Sequence, residues 1–419
     1  MKFLFLLLIK LLFFNLYISA LNNFTIIDSN VSSYFIKNFT KPFKSNFAWF
    51  YYKTFTVISN VIEGQKPEYL NSLTLALHVS NDRHLGGFKD RLNNWNDSIS
   101  LGIYMVNDKV ISSETECTIC SIKKYLKDRK NVSVHLIFKK NLNISDDEMN
   151  YLKISSFCDN SKINNTQKPC VNIPYFKKIN TMKSYPINTI RNVARKLAQS
   201  KFLIVTDSDQ MFSPNFVEKV LPVVKKEYSK NKKVVFVIRV FETVSENYND
   251  GPKNKKQLYQ KLKKKEAFVF HHNNIIFLGT PKLKEWFKVV DNNKSSIQFE
   301  ALYDNDAWEP KLIIPDDAPY HDESFPYPFR DNTVMRWSLC IENYKFLVLN
   351  NVFMYHLGIK SPKESKLMGK LRKANIKKYK NSRKNFTQRY MKKNLKRVKI
   401  CMKSPNIKQK EKLLSDNFF

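Results

Sequence analysis

Lys201-Phe202-Leu203-Ile204-Val205-Thr206-Asp207-Ser208-Asp209-Gln210-Met211 is the stretch on which the fold turns. Four apolar residues, two of them β-branched, follow Lys201 and predict a buried strand. In a strand, residues two apart point to one face. Asp207 and Asp209 therefore aim at one point as the strand runs out. Two converging carboxylates suit a hard or borderline divalent cation, Mg²⁺ or Mn²⁺, held together with a substrate's phosphates. Open α/β sheets also place ligands beyond the carboxyl ends of their strands. An Asp pair that merely shapes a turn before a helix at Ser213-Pro214 has the same local sequence. The flanking chain has to decide between them.

Upstream, the apolar pattern predicts strands over 72–80, 98–106 and 131–138, with helices over 84–95 and 115–129 between them. This alternation is that of an α/β domain with a parallel sheet and crossover helices. Residues 139–180 are polar and read as an insertion. Ile187, Ile190, Ala194 and Leu197 then recur at helical spacing, with Asn188 as N-cap, and this helix feeds into the Asp207/Asp209 strand. Arg191 and Asn192 are candidates for contacting the phosphate or base of a nucleotide donor. Arg195, one turn on from Arg191, reads as part of a solvated face.

Downstream, a helix is expected over 213–228, a strand over 234–240, a basic helix over 253–265, a strand over 311–314, a helix over 333–343 and a strand over 346–349. The short apolar runs 268–270 and 275–278 have no evident place. The aromatic cluster Phe47-Ala48-Trp49-Phe50-Tyr51-Tyr52 is expected to pack against the domain. Beyond Lys360 the chain reads as a basic helical tail without a core of its own.

The totals bound the function classes. Of 419 residues, 43% are hydrophobic, which excludes a wholly disordered chain. The net charge is +34, from 71 basic against 37 acidic residues. Such an excess suits nucleic acid, an anionic membrane surface or an acidic glycan. It also suits simple compositional bias, because Lys, Asn, Phe and Ile abound while Gly numbers 8. Residues 1–20 pair a short basic start, Met1-Lys2, with an apolar run and end on Ala20. They read as a signal peptide or a short signal anchor, since Lys10 interrupts a run already short of the ~20 apolar residues of a full span. Either reading sends the rest into the lumen of the secretory pathway, as a secreted or single-pass type II membrane protein of the ER or Golgi. Sequons at Asn23, Asn30, Asn38, Asn96, Asn131, Asn143, Asn164, Asn293 and Asn385 agree with this. Six cysteines in an oxidising compartment suggest disulfides, in any of 15 pairings. Zinc at Cys117-x-x-Cys120 with Cys158 and Cys170 is disfavoured by the spacing of the second pair. The expected organisation is a leader at 1–20, a luminal stem at 21–70, a catalytic domain at 71–360 and the basic tail at 361–419.

Together the motifs resemble the LARGE-type glycosyltransferases, glycosyltransferase family 49. The resemblance is carried, in the family's order, by Tyr185-Pro186-Ile187-Asn188 with Arg191-Asn192-Val193-Ala194, then by Asp207-Ser208-Asp209 and Phe241-Glu242-Thr243. It continues through Trp308-Glu309-Pro310, Asp322-Glu323-Ser324-Phe325, and Phe346-Leu347-Val348-Leu349 leading to Tyr355-His356. It covers roughly residues 72–360. It implies a GT-A fold, here a mixed, mostly parallel sheet flanked by helices in one nucleotide-sugar-binding domain. It further implies Mn²⁺, a UDP-sugar donor of the GlcA, GlcNAc or Xyl class, a glycan or glycoprotein acceptor, and inversion at the anomeric carbon. Asp207 and Asp209 match the family's metal-binding pair, and His356 its late histidine. An imidazole beside two carboxylates suits Mn²⁺ on chemical grounds as well. Asp331, Glu309 and Asp322 are the candidate bases for the acceptor hydroxyl.

Three rivals remain in view. A strand-Asp-x-Asp phosphatase usually opens its domain with that motif and has Thr or Val where Met211 stands. A nucleic-acid binder lacks any recognition motif here and conflicts with the leader. A catalytically inactive, secreted glycan-binding protein on the same fold is suggested by Pro326-Tyr327-Pro328-Phe329, which stands where the family carries Gly-aromatic-Gly. Prolines do not offer the close backbone approach that glycines permit.

Overall fold

All five residues of the strand Phe202–Thr206 are buried. A strand apolar on both faces must be covered on both, and the architecture follows from that. The computed structural model describes residues 34–35, 47–83, 86–127, 129–154, 158, 169–270 and 280–404. The leader at 1–20, His84, the run 275–278, and the sequons at Asn23, Asn30, Asn38 and Asn164 lie outside the described residues.

In chain order the elements begin with β1 (Tyr34–Phe35), β2 (Ala48–Tyr52), β3 (Phe55–Ile62) and β4 (Leu73–Ser80). Next come α1 (Gly86–Asn94), β5 (Ile99–Met105), α2 (Ser113–Leu126) and β6 (Val132–Phe138), then α3 (Asp146–Ile154), α4 (Tyr175–Lys183) and α5 (Ile187–Leu197). Asp207-Ser208-Asp209 lies between β7 (Phe202–Thr206) and β8 (Gln210–Phe212). After it follow α6 (Phe216–Lys230), β9 (Val234–Thr243), α7 (Lys255–Lys263), β10 (Ala267–Val269), α8 (Leu283–Lys288), β11 (Ile297–Ala301) and β12 (Lys311–Pro315). The chain closes on α9 (Thr333–Ile341), β13 (Lys345–Leu357) and α10 (Pro362–Cys401).

The strands form one mixed sheet in the order β1-β2-β3-β6-β5-β4-β7-β12-β9-β13-β11, with β10 on β9 and β8 on β13. The block β6-β5-β4-β7 is parallel, as the strand–helix alternation requires. β12 runs antiparallel to both β7 and β9, while β9 and β13 are parallel. The α/β expectation holds. Parallel pairing recurs in β9–β13 and in the short edge pair β1–β2, while the opposite edge, β11 on β13, is antiparallel.

Alternation along β7 divides the core. Phe202 and Ile204 join Leu73, Leu75 and Leu77 in a cluster under α1, α2 and α6. Leu203 and Val205 join Trp337, Phe325 and the inner residues of α10 on the opposite face.

Several expectations are corrected. The stretch read as a stem, 21–70, contributes β2 and β3 to the sheet, and β3 pairs with β6. The aromatic cluster of 47–52 is thereby mostly buried, as its packing role required. The polar insertion 139–180 contains α3 and the larger part of α4. The run 268–270 largely coincides with β10. The strand expected at 346–349 is one element of 13 residues reaching Leu357. Its continuity is hidden in the sequence by Asn350-Asn351. A register shift against β9 falls between Val348 and Phe353 and absorbs this pair, as a β-bulge does. Asn188 is not an N-cap; it lies within α5, with Pro186 ahead of the helix. Arg195 is buried, not solvated. It donates to the carbonyls of Pro315, Asp316, Ala318 and Pro319, and so staples the loop after β12.

All six cysteines are in disulfides: Cys117–Cys170, Cys120–Cys158 and Cys340–Cys401. The zinc alternative is thereby removed. The third bond ties the end of α10 to α9. Cys340→Ser with Cys401→Ser is expected to lower unfolding stability by about 4 kcal/mol, from the entropy of the loop it opens, with urea denaturation as the measurement.

Candidate active site

β4 and β7 are parallel neighbours, with Leu77 paired to Thr206. The next residues, His78 still inside β4 and Asp207 just past the end of β7, therefore meet. His78 Nε2 lies 2.9 Å from Asp207 Oδ1, and its Nδ1 lies 3.1 Å from the Tyr185 hydroxyl. Arg191, projecting from α5, places Nη2 3.5 Å from Asp207 Oδ1 and donates through Nη1 to Asp331 Oδ2 at 2.8 Å. Lys311 arrives from β12. The antiparallel pairing of Ile313 with Ile204 brings the start of that strand to the end of β7, and Lys311 Nζ lies 3.6 Å from Asp207 Oδ2. Arg91, from α1, donates to the Asp207 backbone carbonyl at 3.4 Å.

The Asp207 side chain is 37% exposed, whereas those of His78, Arg191 and Lys311 are 7%, 5% and 3% exposed. Cationic and imidazole groups thus form a floor and the carboxylate its upper surface. Burial pushes the Asp207 carboxyl up, but Lys311, His78 and Arg191 outweigh it and hold it well below the usual carboxylate range. The same guanidinium links Asp207 to Asp331. Burial would lower the Arg191 pKa, yet Asp331 and Asp207 raise it, so it stays charged.

Asp209 belongs to the open side. β13 pairs antiparallel with β8, setting His356 opposite Gln210. His356 Nε2 lies 3.0 Å from Asp209 Oδ2, and its Nδ1 lies 3.0 Å from the Gly358 carbonyl oxygen. A carbonyl can only accept, so Nδ1 carries a proton. Neutral Nε2 then presents a lone pair to a carboxylate, an arrangement completed only by a proton or a cation between them. Burial pulls the His356 pKa down, and Asp209 more than restores it. Among the described residues, no three His, Cys, Asp or Glu side chains are gathered closely enough to form a ready metal cage. The donor chemistry nevertheless fits a divalent ion on the Asp209–His356 edge, with substrate oxygens supplying the remaining positions. Asp207, committed to three nitrogen partners, lies beneath.

The other expected residues separate clearly. Asn192 does not face the open site. It is buried, and its side chain is spent on the His321 backbone and on Glu323. Glu309 accepts from Asn332 at 2.5 Å, and its charge acts on both Arg191 and Asp331. Asp322 accepts from the Ser324 amide at 3.0 Å and hydroxyl at 2.7 Å, and also from Arg389 of α10. Of these three carboxylates, Asp331 is the one bonded to a residue that also touches Asp207. It is mostly buried, and burial pushes its carboxyl up against the pull of Arg191.

Sequence reasoning missed His78, Lys311, Arg91 and Glu323. His78 and Lys311 each left a signal, a basic residue near the motif-facing end of a largely apolar strand. Glu323 accepts from Tyr52, Lys53, Thr189 and Asn192 and ties β2, α5 and the 322–331 loop together. The sequence carried it within Asp322-Glu323-Ser324-Phe325 but assigned it no role.

The chain can be placed among known proteins. Beta-1,4-glucuronyltransferase 1 of Danio rerio is 30% identical over 182 residues, 42% of this chain and 41% of that protein. Xylosyl- and glucuronyltransferase LARGE2s of Danio rerio is 22% identical over 287 residues, 68% of this chain and 31% of that protein. The matches thus span about two fifths and one third of those relatives. Among solved structures, TarS 1-349 of S. aureus is similar at 11% identity and a TM-score of 0.37, covering 79% of this chain and 83% of that one. GalNAc-T7 with UDP, GalNAc and Mn²⁺ is similar at 10% identity and a TM-score of 0.35, covering 79% and 58%. The family model described as "Glycosyl-transferase for dystroglycan" matches residues 72–396. That is well over half of the 419 residues and includes every element that builds the site, so the chain belongs to this glycosyltransferase family.

Proposed function

We propose that the chain is a luminal, Mn²⁺-dependent, inverting glycosyltransferase, moving a sugar of the GlcA, GlcNAc or Xyl class from a UDP-sugar to a glycan acceptor. The observation that carries this reading is the Asp209–His356 pair beyond the end of β7, above an Asp207 fixed by His78, Arg191 and Lys311. Family membership and the glucuronyl- and xylosyltransferase names of the relatives support it. The luminal reading is supported by the leader and by three disulfides, which persist in oxidising compartments.

Asp209 and His356 would hold the Mn²⁺, whose chemistry when bound is to neutralise the diphosphate of the departing UDP. Arg191 positions the site by fixing Asp207 on one side and Asp331 on the other. Asp331 accepts the proton of the acceptor hydroxyl. The acceptor oxygen bonds to the anomeric carbon as the bond to UDP breaks, in one displacement, hence with inversion.

The test is UDP release by the purified protein with Mn²⁺ and a panel of UDP-sugars. Turnover with at least one donor, lost on chelation, is the expected result. Absence of both turnover and Mn²⁺-dependent UDP binding sinks the enzyme and favours an inactive glycan-binding protein.

A further inference from the structure

β7 and β8 are joined by Asp207-Ser208-Asp209, yet the two strands do not pair with each other. β7 lies between β4 and β12, whereas β8 pairs with the end of β13. The joint is therefore not a hairpin, and no shared ladder fixes how far Asp209 stands from Asp207. β8 has 3 residues, all buried, and β13 is its strand partner. A strand that short is marginal, and the buried backbone groups on its outer edge need partners.

α1 supplies them. Asn94 Nδ2 donates to the Phe212 carbonyl at 2.9 Å, and the Phe212 amide donates to Asn94 Oδ1 at 2.7 Å. A carboxamide carries a donor and an acceptor side by side, as the backbone does. Asn94 thus gives the open edge of β8 the pair of bonds that a neighbouring strand would give. Arg91, three residues earlier and on the same face of α1, reaches the other end of the joint. Its Nη2 donates to the Asp207 carbonyl at 3.4 Å, and its Nη1 lies 3.5 Å from Asn94 Oδ1. Its guanidinium carbon lies 5.2 Å from the centre of the Phe212 ring. One side of α1 grips both ends of the joint. The Leu357 amide, donating to the Asp209 carbonyl at 3.3 Å, and the Thr206 hydroxyl, donating to the Gln210 side chain, hold it elsewhere.

Arg91 is 0% exposed, so it is no ligand of a metal or nucleotide. Among the described residues it has no ion-pair partner, and its Nε has no hydrogen-bond partner. Burial lowers its pKa to about 10, with Asp209 and then Asp207 among the groups that pull it back up, so it stays charged. A buried cation is costly unless other charges answer it. Here the answering charges include the two carboxylates of the joint.

We propose that Arg91 and Asn94 are positioning residues: from beneath, α1 sets the separation of Asp207 from Asp209, and with it the affinity for metal and diphosphate, while contributing no ligand. This role rests on the transferase reading above.

The test uses the full chain as wild type, Arg91→Met, Arg91→Lys, Asn94→Ser and Val220→Ala. Val220→Ala removes two methyl groups from α6, in the core cluster that also holds Phe212, and breaks no hydrogen bond of the joint. Isothermal titration reads UDP affinity in Mn²⁺, steady-state kinetics reads KM for Mn²⁺ against kcat, and thermal melting reads the fold. Arg91→Met and Asn94→Ser are expected to weaken Mn²⁺-dependent UDP binding by about 10–100-fold, as loss of a group that orients a metal ligand does. Arg91→Lys keeps the charge and one donor but not the planar fork, and should fall between wild type and Arg91→Met. At saturating Mn²⁺, kcat should stay within about threefold of wild type, because the loss lies in assembling the site. Val220→Ala should lower the melting temperature and leave UDP affinity within about twofold, since the two sites share no partner. Affinity losses no larger than that of Val220→Ala overturn the proposal. So does a fall in kcat with Mn²⁺ and UDP affinity unchanged. Should Arg91→Met not fold, Arg91→Lys and Asn94→Ser decide by the same criteria. A wild type without Mn²⁺-dependent UDP binding strikes the transferase reading, and this role with it; binding in wild type that the variants retain strikes this role alone.

Discussion

Asp209→Asn is expected to abolish Mn²⁺-dependent UDP binding and leave the fold intact. Asp209 is 53% exposed, and among the described residues the side chain bonded to it is His356, itself at the open edge of the site. Its loss therefore opens no cavity and strands no deeply buried charge. Asparagine keeps one carbonyl oxygen but carries no charge, so it is a far poorer partner for a hard cation. Isothermal titration of UDP with Mn²⁺ should show a loss of at least about 100-fold, beyond the 10–100-fold typical of a merely supporting partner. The melting temperature should move little. Retained binding would place the metal elsewhere and would return Asp207-Ser208-Asp209 to the role of a turn.

Asp331→Asn is expected to separate chemistry from binding. The amide is nearly isosteric and can still accept from Arg191 through its oxygen, so Asp207 and the donor floor stay in place. What is lost is the capacity to take a proton. With Asp331 as base, kcat should fall by about 10²–10⁴-fold, with KM for the UDP-sugar and Mn²⁺-dependent UDP affinity little changed. Steady-state kinetics over the acceptor concentration range make the comparison. A fall of less than about tenfold would remove Asp331 from the reaction. Glu309 would then be the better candidate, since Asp322 is already held by Ser324 and Arg389. In both variants the disulfide-linked α9–α10 pair should be unaffected, and retention of the wild-type melting temperature checks it.

Much of this site was legible because strands and helices announce themselves by period. The alternation β4-α1-β5-α2-β6 and the uninterrupted apolar β7 follow from burial on both sheet faces, which requires runs of apolar residues of strand length. Asp207 and Asp209 were visible because two carboxylates at the end of such a run have few structural reasons to be there. His356 was legible through the resemblance, not through its own neighbours. The elements misread share one physical cause. α3 and α4 are short, polar helices held by the Cys117–Cys170 and Cys120–Cys158 bonds nearby, and disulfide pairing leaves no local trace. β13 is broken to the eye by Asn350-Asn351, whose cost is met by partners from distant loops: Asn350 bonds Ser296, and Asn351 bonds Asn292 and Lys294. Arg195 looked solvated because a helix pattern shows which residues share a face, not what covers it.

The sequence by itself determined the α/β class, the place of Asp207-Ser208-Asp209 at the end of the central strand, and the family. These depend on periodicity and on residues close together in the chain. Only the tertiary structure decided the charge balance of the site. His78, Arg191, Lys311 and Asp331 lie far apart in sequence, on β4, α5, β12 and the loop before α9, and parallel and antiparallel pairing across the β4-β7-β12 block gathers them around Asp207. Strand register converts distant positions into neighbours a few ångströms apart, and it is fixed by the packing of the whole sheet, which no single stretch of sequence contains.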